Sequence, residues 1–149
     1  MIKSDIESCA PKRADDFQAH ESSCLAEARK ALYRWAEVVS SGSIDNVLAL
    51  YAPDAILVPT LSNEIREREE ERRNYFENFL SNPNLRCEIT LQKKRVSRKL
   101  GTVVIGGLYT FRFERDGAEA VVPARFLFTF EEIDGRWLIT GHHSSSLTA

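Results

Sequence analysis

Two dipeptides constrain this chain more than any other feature. Asp116-Gly117 and Asp134-Gly135 each sit between long runs in which apolar and polar residues alternate. Asp-Gly accepts the left-handed backbone of a two-residue reverse turn whose twist matches paired strands, so each predicts a tight β-hairpin. The joined runs are "TVVIGGLYTFRFE", "VVPARFLFTFEE" and "RWLITGHHSS". Side chains alternate across a strand, which puts Val103, Ile105, Tyr109, Phe111 and Phe113 on one side of the first. Val122, Ala124, Phe126, Phe128 and Phe130 share a side of the second. Upstream, "RCEITLQ" predicts another strand, with Cys87, Ile89 and Leu91 together. The expected result is an antiparallel meander with one aromatic face.

The first half of the chain reads as helix. Leu25, Ala28, Leu32, Trp35 and Val39 step by three or four between Glu21 and Ser41, forming one apolar stripe. Ser43 or Asp45 can cap a short second helix carrying Val47, Leu48 and Tyr51, stopped by Pro53-Asp54 ahead of a brief strand, "AILVP". A third helix is expected from Arg66 to Leu80, ended by Asn82-Pro83. Its charge run "EIREREEERR" mixes both signs, with Glu69 and Arg73 spaced to pair, and reads as a solvated face. Helices first and a sheet second imply an α+β fold. Residues 1–20 lack periodicity and read as a flexible leader, leaving 21–149 as one domain.

The totals exclude several function classes. A formal charge of −2 is wrong for a nucleic-acid binder that relies on a broad basic surface. No apolar stretch approaches the ~18 residues of a membrane span, and the N-terminus lacks the apolar core of a signal peptide. Three cysteines without C-x-x-C spacing fit reduced thiols in a cytoplasm, with Cys87 a small buried hydrophobe.

The last strand carries the chemistry. If Asp134-Gly135 is a two-residue turn, Ile133 faces Arg136, Phe130 meets Ile139 and Phe126 meets His143. Cross-strand partners share a face. Trp137, Ile139, His143 and Ser145 then join the phenylalanine stripe, while Leu138, Thr140, His142 and Ser144 point out with Arg125, Leu127 and Thr129. A bulge would reverse the assignment. Adjacent histidines on a strand face opposite sides and cannot converge on one ion, so no metal or other cofactor is expected here. His143 and Ser145 would form a polar pair at the rim of an aromatic-lined cavity, as small-molecule sites do. They could equally satisfy backbone groups at a strand end.

"YAPDAILVPTLSN", "NYFENFLSNPN" and "DGRWLITGHHSS", in this order, resemble the association domain of calcium/calmodulin-dependent protein kinase II and its stand-alone bacterial relatives. These belong to the nuclear transport factor 2-like superfamily, and the resemblance spans about residues 21–146. It implies a cone: a curved antiparallel sheet around helices. Some stand-alone members are iota-class carbonic anhydrases, certain of them working without metal. The resemblance implies catalytic roles for Thr60, Tyr75, His143 and Ser145, with Tyr109, Phe126, Phe128 and Trp137 lining the ligand. The chain departs from those enzymes in having Gly141 in place of a third histidine and no proline after the serines. The implied activity is interconversion of carbon dioxide and bicarbonate. The alternative is a non-catalytic module that binds a small carboxylate. Either would form a homodimer through Leu127, Leu138 and Thr140 on the outer sheet face.

Overall fold

The computed structural model of the chain describes residues 17–60 and 62–147. The elements run α1 (Phe17–Ser41), α2 (Ile44–Leu48), β1 (Tyr51–Val58), α3 (Glu69–Phe79), β2 (Arg86–Ser97), β3 (Thr102–Arg115), β4 (Ala118–Ile133) and β5 (Arg136–Ser146). One five-stranded sheet has the order β1-β5-β4-β3-β2, with β1 parallel to β5 and every other pair antiparallel. The α+β class expected from the sequence is the one found. The first 16 residues of the expected leader lie outside the described residues, and Phe17 to His20 form the first turn of α1.

Both Asp-Gly hairpins are present. Asp116 and Gly117 have φ of 53° and 76°, Asp134 and Gly135 of 51° and 79°, so both turn residues are left-handed as such a turn requires. The apolar stripe of α1 is wholly buried, from Leu25 to Val39. It packs on the inner sheet face, where Trp35 stacks on Tyr109 at 5.8 Å and meets Phe128 edge-on at 5.3 Å. From the other side, α3 brings Phe79 edge-on to Phe111 at 5.1 Å.

Two bulges bend the sheet and change which residues face the core. In β2 the register slips between Ile89 and Leu91, so Leu91 is exposed rather than aligned with Cys87 and Ile89. Opposite this bulge a Cβ on Gly107 would lie 1.9 Å from the Leu91 carbonyl oxygen, so only glycine fits. In β5 the pairs Ile133↔Arg136 to Phe130↔Ile139 are the expected ones, but Thr140 is then skipped. Beyond it, Thr129 pairs with Gly141, Phe128 with His142, Leu127 with His143 and Phe126 with Ser144. The Thr140 hydroxyl donates to the Thr129 carbonyl at 3.3 Å, holding the extra residue in place.

Four further expectations are corrected. Tyr51 opens β1 instead of ending α2, because α2 stops at Leu48 and the Tyr51 hydroxyl is drawn into the core. The segment before α3 is not helical: Arg66 exchanges two backbone hydrogen bonds with Leu57, and the Glu71 carboxylate accepts from the Arg68 N–H to start the helix at Glu69. The charge run is not wholly solvated. Arg72 is 1% exposed and donates to the carbonyls of Ala55, Ala52 and Pro53 at 2.8, 3.2 and 3.2 Å, while Arg73 pairs with Asp45. Cys24 is disulfide-bonded, so the expectation of three reduced thiols fails for it. Cys87 is free and half-buried, and burial pushes its thiol up to about 12. Among the described residues no helix is long and apolar enough to cross a membrane.

The Arg72 guanidinium supplies donors to a stretch of β1 where the β5 pairing is irregular, between Tyr51 and Ile56. Replacing it leaves buried carbonyls without partners. Arg72→Met should cost about 3 kcal/mol in urea denaturation. Arg73→Met, which removes only a surface ion pair, should stay within about 0.5 kcal/mol of wild type.

Candidate functional site

A cavity of about 670 Å³ opens between α3 and the inner sheet face, near the end of β5. Its polar floor is built by Thr60, which follows β1, by Tyr109 of β3, and by His142 and Ser144 of β5. Its walls include Tyr75 and Phe79 from α3 and Phe111 from β3, with Arg66 beside them. A pocket of this size, with aromatic walls and converging polar groups, has the form of a small-molecule site, although its lining is more polar than most.

The Thr140 bulge decides which half of "HHSS" reaches the cavity. The expectation that His143 and Ser145 face inward is overturned. One extra residue reverses the parity of everything after it, so His142 and Ser144 are buried, at 5% and 7% exposure. His143 is exposed, facing Leu127 on the outer side, and Ser145 is half-buried opposite Arg125. The two-residue spacing of the polar pair survives, moved by one position.

Other expected site residues divide by position. Thr60, Tyr75 and Tyr109 line the cavity. Phe126 and Phe128 are buried behind its floor: Phe126 packs on Tyr109 at 4.7 Å, and Phe128 stacks on His142 at 3.9 Å with planes 16° apart. Trp137 does not reach the cavity. It lies five residues before His142, about 17 Å along the strand, half-buried against the far edge of the core. Leu138 is buried and the Thr140 hydroxyl is spent on Thr129, so of the three outer-face residues expected at a subunit contact only Leu127 is exposed.

A continuous hydrogen-bond chain joins the floor. The Trp35 indole N–H donates to the Tyr51 hydroxyl at 3.0 Å, and that hydroxyl lies 2.8 Å from His142 Nδ1. His142 Nε2 is 3.3 Å from the Tyr109 hydroxyl, which donates to Ser144 Oγ at 2.6 Å. The Thr60 hydroxyl reaches the same oxygen at 2.7 Å. Trp35 was read from the sequence only as core and Tyr51 only as part of a helix. Their polar atoms meet His142 because α1 and β1 cross the sheet there. The Gly141 that follows Thr140 inside a strand pattern was the one local signal of a bulge.

This floor is uncharged. Burial, with a smaller push from the neighbouring His143, lowers His142 to about 3. Burial raises Tyr75 to about 12 and drives Tyr51 and Tyr109 well above the ordinary phenol range. At neutral pH the imidazole and all three phenols therefore hold their neutral forms. The Tyr75 hydroxyl has no hydrogen-bond partner among the described residues and borders the cavity. Positive charge comes from Arg115 and from Arg66, whose guanidinium donates to the Glu71 carbonyl at 3.2 Å and pairs with the exposed Glu64 at 3.3 Å. The Arg66 Nε is buried without a partner among the described residues. Among the described residues no three His, Cys, Asp or Glu side chains cluster as ligands of one metal ion.

An unfolded histidine titrates near 6.5, well above buried His142. The unfolded chain therefore binds more protons between these values, and stability is complete above about pH 6.5 and declines as pH falls toward 3. Urea denaturation between pH 7 and 4 should show this decline, with His142 contributing up to about 1.4 kcal/mol per pH unit. In His142→Asn that contribution should vanish.

Residues 25–148 match the calcium/calmodulin dependent protein kinase II association domain. A protein from Xanthomonas campestris, described as a putative domain of this kind, is 34% identical. The match covers 93% of this chain and 94% of that one, with a TM-score of 0.73. An NTF2-like protein with a cystatin-like fold from Novosphingobium aromaticivorans is 10% identical at TM-score 0.75, covering 93% and 92% of the two chains. An NTF2-like putative dehydratase from Streptomyces avermitilis is 12% identical at TM-score 0.76, covering 87% and 99%. The latter two share the fold alone. No curated protein matches the sequence. With the family domain matched along nearly its whole folded length, this chain belongs to the calcium/calmodulin-dependent protein kinase II association domain family.

Proposed function

We propose that the cavity binds a small oxyanion, a carboxylate or bicarbonate, against the hydroxyls of Thr60, Tyr75 and Ser144. The observation that carries this reading is the convergence of neutral hydroxyl groups beside Arg66, whose buried Nε–H lacks a partner among the described residues. Hydroxyl donors and a guanidinium are the groups that stabilise carboxylate oxygens away from water. A bound carboxylate would supply the acceptor that the Arg66 Nε–H lacks.

The same groups suit a second reading, metal-independent hydration of carbon dioxide. In it His142, not His143, joins Thr60, Tyr75 and Ser144. What favours it is the hydrogen-bond chain joining Ser144, Tyr109 and His142, which would orient an attacking water. Both His142 nitrogens are already engaged and the ring resists protonation, which supports an orienting role over that of a free base. Binding without turnover is therefore the reading we favour. We further propose a homodimer through the outer sheet face, where Ile56 and Leu127 are each 49% exposed on strands flanking β5. Sedimentation as a monomer at micromolar concentration would remove that proposal.

Acetate titrated into labelled protein should shift the Tyr75 and Ser144 resonances, and Ser144→Ala should bind about tenfold more weakly through loss of one buried hydrogen bond. Stopped-flow hydration of carbon dioxide separates the two readings. A rate equal to buffer leaves binding alone. A rate above buffer that disappears in Ser144→Ala establishes the enzyme.

A further inference from the structure

We infer that Trp35 and Tyr51 are positioning residues: they set the direction of the hydrogen-bond chain beneath the cavity and thereby make its floor a donor of hydrogen bonds. The direction rests on geometry alone. Its consequence for ligand choice rests on the small-oxyanion reading above.

The argument follows the protons. An indole nitrogen carries a hydrogen and no available lone pair, so Trp35 can only donate to the Tyr51 hydroxyl, 3.0 Å away. Tyr51 must send its own proton elsewhere, and the acceptor within reach is His142 Nδ1 at 2.8 Å. A neutral imidazole whose Nδ1 accepts carries its proton on Nε2. That N–H faces the Tyr109 oxygen at 3.3 Å. Tyr109, accepting there, directs its proton to Ser144 Oγ at 2.6 Å. Ser144 and Thr60 own two hydroxyl protons and share one hydrogen bond at 2.7 Å. Whichever of them donates to the other, one proton is left over, and both residues line the cavity.

The opposite direction fails at one place. If Ser144 donated to Tyr109 and Tyr109 to Nε2, the Nδ1 proton would go to Tyr51. The Tyr51 oxygen would then accept from both His142 and Trp35, with its own proton unpaired in a buried site. The Ser144 and Thr60 protons would both be consumed inside the protein. A donor-only indole nitrogen at the far end of the chain therefore decides whether the floor offers a proton or only lone pairs. A floor with a spare proton selects acceptor groups such as carboxylate or bicarbonate oxygens over ammonium groups.

Long-range proton–nitrogen correlation spectra of the histidine-labelled, ligand-free protein at pH 7 test the direction. The expected spectrum has His142 as a single tautomer, protonated at Nε2 and bare at Nδ1. A ring protonated at Nδ1, or an even mixture, overturns the inference without reference to any ligand. Trp35→Phe replaces the donor with space in which water can take the Tyr51 proton. It should populate the second tautomer and weaken acetate binding by up to about tenfold relative to methylammonium. In a Tyr51→Phe background, where the link is cut, the same substitution should change neither. An unchanged tautomer in Trp35→Phe overturns the role of Trp35. If that variant does not fold, the wild-type spectrum still decides the direction of the chain. Failure of acetate to bind the wild type, with the expected tautomer present, sinks the oxyanion reading and leaves the positioning role supported.

Discussion

One extra residue in β5, Thr140, determines what the cavity is made of. Up to Ile139 the strand pairs with β4 as a simple two-residue turn dictates, and after Thr140 every side chain is on the opposite face. His142 and Ser144 come to lie under α1 and against the phenylalanines, while His143 is carried to the outer face. The distortion is shared by the neighbouring strand, since the parallel pairing with β1 is irregular between Tyr51 and Ile56 at the same level of the sheet. A bulge that bends two adjacent strands re-aims side chains and curves the sheet at once. Here those two effects produce the polar floor and the room above it.

The floor is a buried polar chain, and such chains stabilise only when each member is paired. Trp35, Tyr51, His142, Tyr109, Ser144 and Thr60 meet this condition while coming from α1, β1, β5, β3 and the segment after β1. Aromatic rings enclose the imidazole, with Phe128 stacked on one face and Trp35 edge-on at 5.2 Å. Removing water this thoroughly keeps the ring neutral and its hydrogen bonds directional. The arrangement favours holding a ligand's oxygens over supplying a base, because both imidazole nitrogens are already committed.

Arg72 solves a different problem created by the same irregularity. Pro53 brings no N–H, and the carbonyls of Ala52, Pro53 and Ala55 lie in the stretch where β1 loses its ladder with β5. The guanidinium reaches them from α3 and takes the place of strand partners. It thereby ties α3, which carries Tyr75, to the strand that leads into Thr60. Two walls of the cavity are held together by a cation that never faces it.

Much of this was legible in the residues themselves. Asp-Gly pairs specify left-handed turn residues, and alternation and helical spacing identify the buried stripes, because these rules concern neighbours along the chain. The strands, the hairpins, α1 and the α+β class rest on such local rules, whereas the joint involvement of Thr60, Tyr75 and Tyr109 in one cavity was implied by the family resemblance and not by spacing. The sequence also determined that one imidazole and one serine, two residues apart, would share a face. Which pair it would be was decided only by tertiary structure. A bulge forms where pairing with β1 and β4, together with the Thr140 hydroxyl on the Thr129 carbonyl, makes an extra residue cheaper than a continuous ladder. The burial of Arg72 and the meeting of Trp35 with Tyr51 and His142 have the same origin. They satisfy polar atoms that become unpaired only once distant segments have packed.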